Sequence, residues 1–269
     1  AYKLQKENSS GGGSLQSLYF NLYTSGFPEE ALIFIEKMIE YNNDSSFYYP
    51  CMLEISLNRG DYPAALKYAM KVEPLDQAAP GMWKWKPADI ALQFRDYGGA
   101  LKLAREFIEM YEKATGKEMY PCDWIGYIYL INGMKTESVF HIEGPIKYYT
   151  ELIEQNKHNP DLGSFVALCE IYSGMGEKEK AMEYLRKAVK IIDGTKIPLE
   201  NIRRYKMNPV FDTIRDEPEF REFLRNAEEM WVPDREKIKK LLQEEGLLQE
   251  KGSPQNPEFL HLILHGSKC

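Results

Sequence analysis

The sequence predicts an all-α fold, a right-handed solenoid of about five stacked helix pairs closed by C-terminal capping helices, and three observations carry that prediction. Gly and Ala recur five residues apart in one local setting. Gly26 and Ala31, Gly60 and Ala65, and Gly176 and Ala181 each place a Gly turn ahead of an amphipathic helix whose first inward residue is Ala. Helix-period patterns separated by short breakers run from Ser14 to Ile192. With 43% hydrophobic positions in 269 residues, the chain has enough apolar surface for one continuous core. A unit of two short helices cannot bury its apolar face alone, so neighbouring units must stack.

Taken in order, residues 1–13 are polar and Gly/Ser-rich, lack the apolar core of a signal peptide, and read as a flexible linker to something upstream. Helical repeats occupy 14–192. Ser14 to Thr24 and Glu29 to Tyr41 form the first pair around Gly26 and Pro28, with Pro at a helix start where its missing N–H is tolerated. Phe47 to Asn58 and Tyr62 to Val72 form the second, with Gly60 supplying the left-handed turn. The third joins Pro87 to Arg95 with Gly99 to Lys113. The fourth opens at Cys122 to Ile131, turns at Asn132-Gly133 and continues from Thr136. Gly144-Pro145 interrupts it before a helix at Lys147 to Gln155, which leaves open a bent second helix or an insertion with its own helix. Asp161 to Ser173 and Glu177 to Ile192 make the fifth. Residues 193–248 form a closing segment and capping helix. Phe211, Ile214, Phe220, Phe223 and Leu224 suit the sealing of a solenoid end, and Ile238, Leu241, Leu242 and Leu247 have helical spacing. Residues 249–269 read as a loosely ordered tail.

Several functions are disfavoured by composition. A net charge of -7, with Lys and Arg interspersed among Asp and Glu, gives no basic face for nucleic acid. No run of about 18 apolar residues is present to cross a membrane. Cys51, Cys122, Cys169 and Cys269 are far apart without a CxxC pair, which suits reduced, mostly buried thiols and a cytoplasmic location, with an extracytoplasmic domain behind an unseen anchor as the other reading. His261, His265 and Cys269 are spaced so that one helical face would offer three zinc ligands. No fourth ligand or supporting carboxylate is near, so a frayed tail with incidental histidines is the preferred reading, and no metal is expected. His141 and His158 sit in no catalytic context. Phosphate-loop, nucleophile-elbow, zinc-protease and dinucleotide motifs are absent, and Gly11-Gly12-Gly13 lacks the Lys that a phosphate loop needs. No cofactor and no catalytic residue are expected.

The units resemble the tetratricopeptide repeat family. In the fifth, Phe165, Cys169, Tyr172, Gly176, Ala181, Leu185 and Ala188 follow the family's order of bulky, small and turn positions; Gly126, Tyr129, Gly133 and Ser138 do so in the fourth. The second has Tyr49, Gly60, Ala65 and Ala69, but Leu53 and Ser56 depart from the pattern. The third keeps Ala88, Ala100 and Ala104 and replaces the turn Gly with Arg95. The first has Gly26 and Ala31, with Tyr19 at a small position. The segment 207–226, with Pro209, Phe211, Ile214, Arg215, Asp216, Pro218, Phe220 and Leu224, is similar to the one that closes bacterial arrays of this kind attached to regulatory or cyclase-type proteins.

This resemblance implies a concave groove lined by the first helix of each unit. Phe20, Tyr23, Glu54, Asn58, Trp85, Asp89, Tyr120, Asp123, Tyr127 and Glu170 are its candidate partner-binding residues. The lining is aromatic and acidic and lacks the basic clamp that holds a peptide's terminal carboxylate, so a basic and apolar protein segment is the expected ligand. The function expected is a non-catalytic protein–protein interaction module of a larger bacterial regulatory or scaffold protein. The alternative is an accessory or oligomerisation domain of an enzyme whose catalytic domain lies upstream. Core filling by the same aromatics competes with both.

Overall fold

The computed structural model describes residues 11–42, 47–72, 84–156, 161–192 and 196–244. Among these there are helices and turns and no strand. In chain order the paired helices are α1 (Gly11–Thr24) with α2 (Pro28–Asn42), α3 (Tyr48–Asn58) with α4 (Tyr62–Ala69), α5 (Lys86–Gln93) with α6 (Tyr97–Thr115), α7 (Asp123–Ile131) with α8 (Lys135–Gln155), and α9 (Leu162–Gly174) with α10 (Lys178–Ile191). Each pair packs on the next, α2 on α3, α4 on α5, α6 on α7 and α8 on α9.

One turn is repeated between the helices of every pair. The N–H of Phe27 donates to the Leu22 carbonyl at 2.9 Å, Asp61 to Ser56 at 2.9 Å, Asp96 to Ala91 at 2.9 Å, Met134 to Tyr129 at 2.9 Å and Glu177 to Tyr172 at 2.8 Å. Such a bond closes a helix only when the preceding residue is left-handed. That residue is Gly in four turns, with φ between 69° and 83°, and Arg95 at φ 63° in the third. Glycine visits this region without strain and arginine does not. Arg95 is held there by the forked donation of its guanidinium to Asp212, at 2.6 and 3.0 Å.

Small residues then let the two helices close. Ala31, Ala65, Ala100 and Ala181 are wholly buried, as is Ser138. A Cβ on Gly126 would stand 2.7 Å from Ile142, so glycine is what α7 needs to approach α8. Asp61, Asp96 and Asp161 cap the following helices by accepting from the N–H of Ala64, Gly99 and Ser164.

Two expectations need correction. Gly144-Pro145 does not divide the fourth unit, because α8 runs unbroken from Lys135 to Gln155 with Pro145 inside it. Gly144 leaves room for Pro121, which a Cβ would meet at 2.4 Å, and Pro145 is buried. Packing on both residues holds a helix that local propensity would break. At the other end, α1 begins at Gly11, so the three glycines read as linker form its first turn.

Beyond the fifth pair come α11 (Leu199–Met207), a 3₁₀ turn (Pro209–Phe211), α12 (Pro218–Glu229) and α13 (Val232–Glu244). Phe211, Ile214, Phe220, Phe223 and Leu224 join Cys169, Ala181, Met182 and Leu185 in one buried cluster over the last pair. The rest of the segment returns to the first pair. Leu242 is buried among Tyr19, Leu22 and Leu32, the Arg235 guanidinium lies 5.6 Å over the Phe27 ring, and Trp231 Nε1 donates to the Ile197 carbonyl at 2.7 Å. No described helix is long and apolar enough to cross a membrane. Residues 249–269, read from sequence as a tail, lie outside the described residues.

Candidate functional site

Helix α11 brings together acids carried by three of the repeat units. Pro198 precedes it, Glu200 lies in its first turn and Arg204 and Lys206 in its last, an order that complements the helix dipole. Its final carbonyls are covered by Arg215, which donates to those of Tyr205 at 3.3 Å, Lys206, and Asn208 at 2.6 Å. Ile202 and Tyr205 are buried in the C-terminal cluster. That fixes the direction in which Arg203 and Arg204 point.

Both arginines grip acids carried by the repeat helices. Arg203 donates to Glu54 of α3 through two nitrogens, at 2.8 and 3.1 Å. Arg204 donates to Glu170 of α9 at 2.5 and 3.0 Å and lies 3.6 Å from Asp89 of α5. Forked, charge-assisted bonds of this kind fix orientation as well as adding energy. The acids are poorly hydrated: the side chains of Asp89, Glu54 and Glu170 are 3%, 11% and 14% exposed. Burial pushes the Glu54 carboxyl up and the Arg203 guanidinium pulls it back. For Arg204, burial works against the cation, while Glu170 and Asp89 outweigh it and raise its pKa.

Of the remaining candidates, Asp89 accepts from Gln93 Nε2 at 2.8 Å. Asp123 accepts from the Trp124 N–H at 2.8 Å, and burial, with Glu170 next in size, pushes its carboxyl from 3.8 to about 6. Tyr127 and Asp123 line a narrow recess with Trp124, Leu130, Ile142, Glu170, Met175 and Val210, with room for about one water-sized group. The Trp85 ring lies 6.1 Å from that of Trp124 and has the Lys86 ammonium over it at 5.0 Å. Phe20 is exposed and packs its edge on Phe47 at 5.3 Å. Tyr23 is half-buried, and burial followed by Glu54 raises its phenol well above the usual value. Asn58 is exposed, and Tyr120, also exposed, stands against Tyr111. The structure therefore gathers Glu54, Asp89, Asp123 and Glu170 about two arginines, with Tyr127 beside them. Asn58 and Tyr120 take no part in that gathering.

Sequence reasoning passed over Arg203 and Arg204, because residues 193 to 206 held no repeat. Their signal was Ile202 and Tyr205 at helical spacing after Pro198, with adjacent arginines in an acidic chain. Among the described residues no group of His, Cys, Asp and Glu is arranged to hold a metal ion. His158, His261, His265 and Cys269 lie outside those residues. His141 is buried, accepts from the Cys122 N–H at 3.2 Å, and has its pKa lowered by burial. Cys51, Cys122 and Cys169 are free thiols, Cys51 donating to the Pro28 carbonyl at 3.1 Å.

Stacked helix pairs with one repeated turn and small residues where the helices cross define an α-helical repeat protein. The family model of the tetratricopeptide repeat matches residues 164–193, which is the fifth pair, so the chain carries a tetratricopeptide repeat. Repeats of this kind are typical of protein–protein interaction modules, which are generally non-catalytic. No curated relative matches the chain significantly.

Proposed function

We propose that the protein is a non-catalytic interaction module of a larger bacterial regulatory or scaffold protein, and that it binds a basic, apolar protein segment along its concave face beside α11. The observation that carries this reading is the grip of Glu54 and Glu170 on the adjacent arginines of α11. The acid row already performs in cis the recognition expected of it in trans, reading guanidinium pairs through forked bonds between apolar neighbours. Because those two acids are engaged, the trans ligand reads what α11 leaves open: Asp123, the Tyr127 edge, Trp85, and Phe20 with Tyr23. Tyr127 and Trp85 are the anchors, since aromatic side chains contribute most at interfaces.

An array of 15-residue peptides varying Lys, Arg, Glu, Leu and Phe content tests it, probed with wild type and with Trp85→Ala/Tyr127→Ala after both are shown to be helical and to melt cooperatively. Retention of basic–apolar peptides by wild type and a tenfold or greater loss in the variant are expected. Retention that is equal in both proteins, or that favours acidic peptides, would overturn the reading.

A further inference from the structure

The four acids of the concave face are not equivalent. Arg203 and Arg204 neutralise Glu54 and Glu170, and Arg204 also approaches Asp89. Asp123 has no such ion pair among the described residues. It accepts a hydrogen bond from the backbone N–H of Trp124, and the charged and titratable groups around it are Glu170, which opposes its ionisation, Arg204, which favours it, and the phenols and thiol of Tyr149, Tyr120 and Cys122. Its carboxyl accordingly titrates near 6, as expected of a sheltered carboxylate short of a cation.

This acid opens into a formed recess. The walls come from α5, α7, α8 and α9 and from the 3₁₀ turn, with Leu92, Leu130, Ile142 and Met175 among the apolar residues. The recess has room for about one water-sized group. An ammonium has that size, whereas a guanidinium is a broad plane that needs a wider slot. Close approach at Gly174 shapes the recess: a Cβ there would meet Val210 at 2.7 Å and the Tyr127 ring at 2.8 Å, so glycine lets α9, α7 and the 3₁₀ turn come together.

We propose that the recess is a subsite for the terminal ammonium of a lysine side chain of a partner protein, which ion-pairs with Asp123 while its alkyl stem lies against Tyr127 and Leu130. The proposal rests on the groove reading above and adds to it one residue, one charge and a choice of lysine over arginine. It also predicts that lysine binding releases a proton from Asp123 below about pH 6, since the cation pulls its carboxyl back down.

The test is methyl NMR on the full chain labelled at Ile and Met, titrated with acetyl-Leu-Lys-Leu-amide and with the same tripeptide carrying norleucine, arginine or glutamate at the centre. Shifts confined to Ile142, Ile171 and Met175, with Ile35 and Ile55 unmoved, are expected for the lysine peptide. Affinity should be at least tenfold weaker for norleucine and arginine and should be lost in Asp123→Asn. Norleucine binding as well as lysine would overturn the proposal in favour of an apolar pit, and arginine binding as well would overturn its selectivity. n-Butylamine matching the lysine peptide would move the ligand from a protein to a free amine. An array that still retains basic–apolar peptides with Asp123→Asn would leave the groove reading standing and remove this subsite. An array that retains none, with the tripeptide shifts intact, would do the reverse.

Discussion

Replacing Arg204 by alanine is the most direct test of how α11 is held. The change leaves Glu170 and Asp89, whose side chains are 14% and 3% exposed, without the cation that approaches them at 2.5 and 3.6 Å. Removing one partner of a buried pair costs about 3–5 kcal/mol, chiefly because the other charge stays buried and uncompensated. At roughly 2–4 °C per kcal/mol for a chain of this size, the melting midpoint should fall by roughly 6–20 °C. The matched control is Arg186→Ala, which removes a forked pair with Glu219 whose side chains are 53% and 51% exposed, and should leave the midpoint close to that of wild type. Circular dichroism melts at pH 7.5 in moderate salt give both numbers. The double variant Arg204→Ala/Glu170→Gln should regain part of the loss, since a neutral amide tolerates burial better than a bare carboxylate. If Arg204→Ala melts within a degree of Arg186→Ala, or if Glu170→Gln deepens the loss in the double variant, the account of α11 as held by buried ion pairs is wrong.

Three further outcomes are expected. Asp123 has a folded pKa of about 6 against an ordinary 3.8, so the folded chain binds its proton first; its burden on stability is present above pH 6 and is relieved as pH falls towards 4, and Asp123→Asn should raise the midpoint at pH 7.5 and flatten its pH dependence across that window. Arg95→Gly relieves the left-handed backbone at φ 63° while giving up the half-exposed pair with Asp212, and should melt within a few degrees of wild type. Arg95→Ala loses the pair and keeps the strain, so it should be the less stable by about 1 kcal/mol in urea titrations. Gly126→Ala should cost about 1–3 kcal/mol in the same titrations, because its Cβ meets Ile142 at 2.7 Å, whereas Gly98→Ala, with nothing within 4 Å, should gain about 0.5–1 kcal/mol.

The parts of the fold legible in the sequence are those with a local cause. A left-handed turn asks for glycine, and a close helix crossing asks for alanine or serine, so Gly26, Gly60, Gly133 and Gly176 with Ala31, Ala65, Ser138 and Ala181 can be read without coordinates. Arg95 marks the boundary of that method, because what lets arginine occupy the turn is Asp212, far along the chain. The unbroken α8 lies beyond it for the same reason, since Pro121 packs on Gly144 from the preceding loop. So does α11. A nine-residue helix has little stability of its own, and what fixes it is the burial of Ile202 and Tyr205 and the acids of three separate units. The candidate site was legible in the same proportion. The acid row comes from the repeat register that the resemblance implies, whereas its pairing with Arg203 and Arg204 depends on how the chain folds back on itself.

The two arginines of α11 act as a gauge of array length. They are neighbours in sequence, about 3.8 Å apart along the backbone, yet one reaches the second helix pair and the other the third and fifth. An additional pair inserted between α3 and α9 would move Glu54 from Glu170 by roughly 16–20 Å, two helix spacings, and the same two side chains would no longer serve both ends. Open solenoids change by gaining and losing repeats. This one is closed against that route, and a change in its number of repeats would have to arrive together with a rebuilt α11.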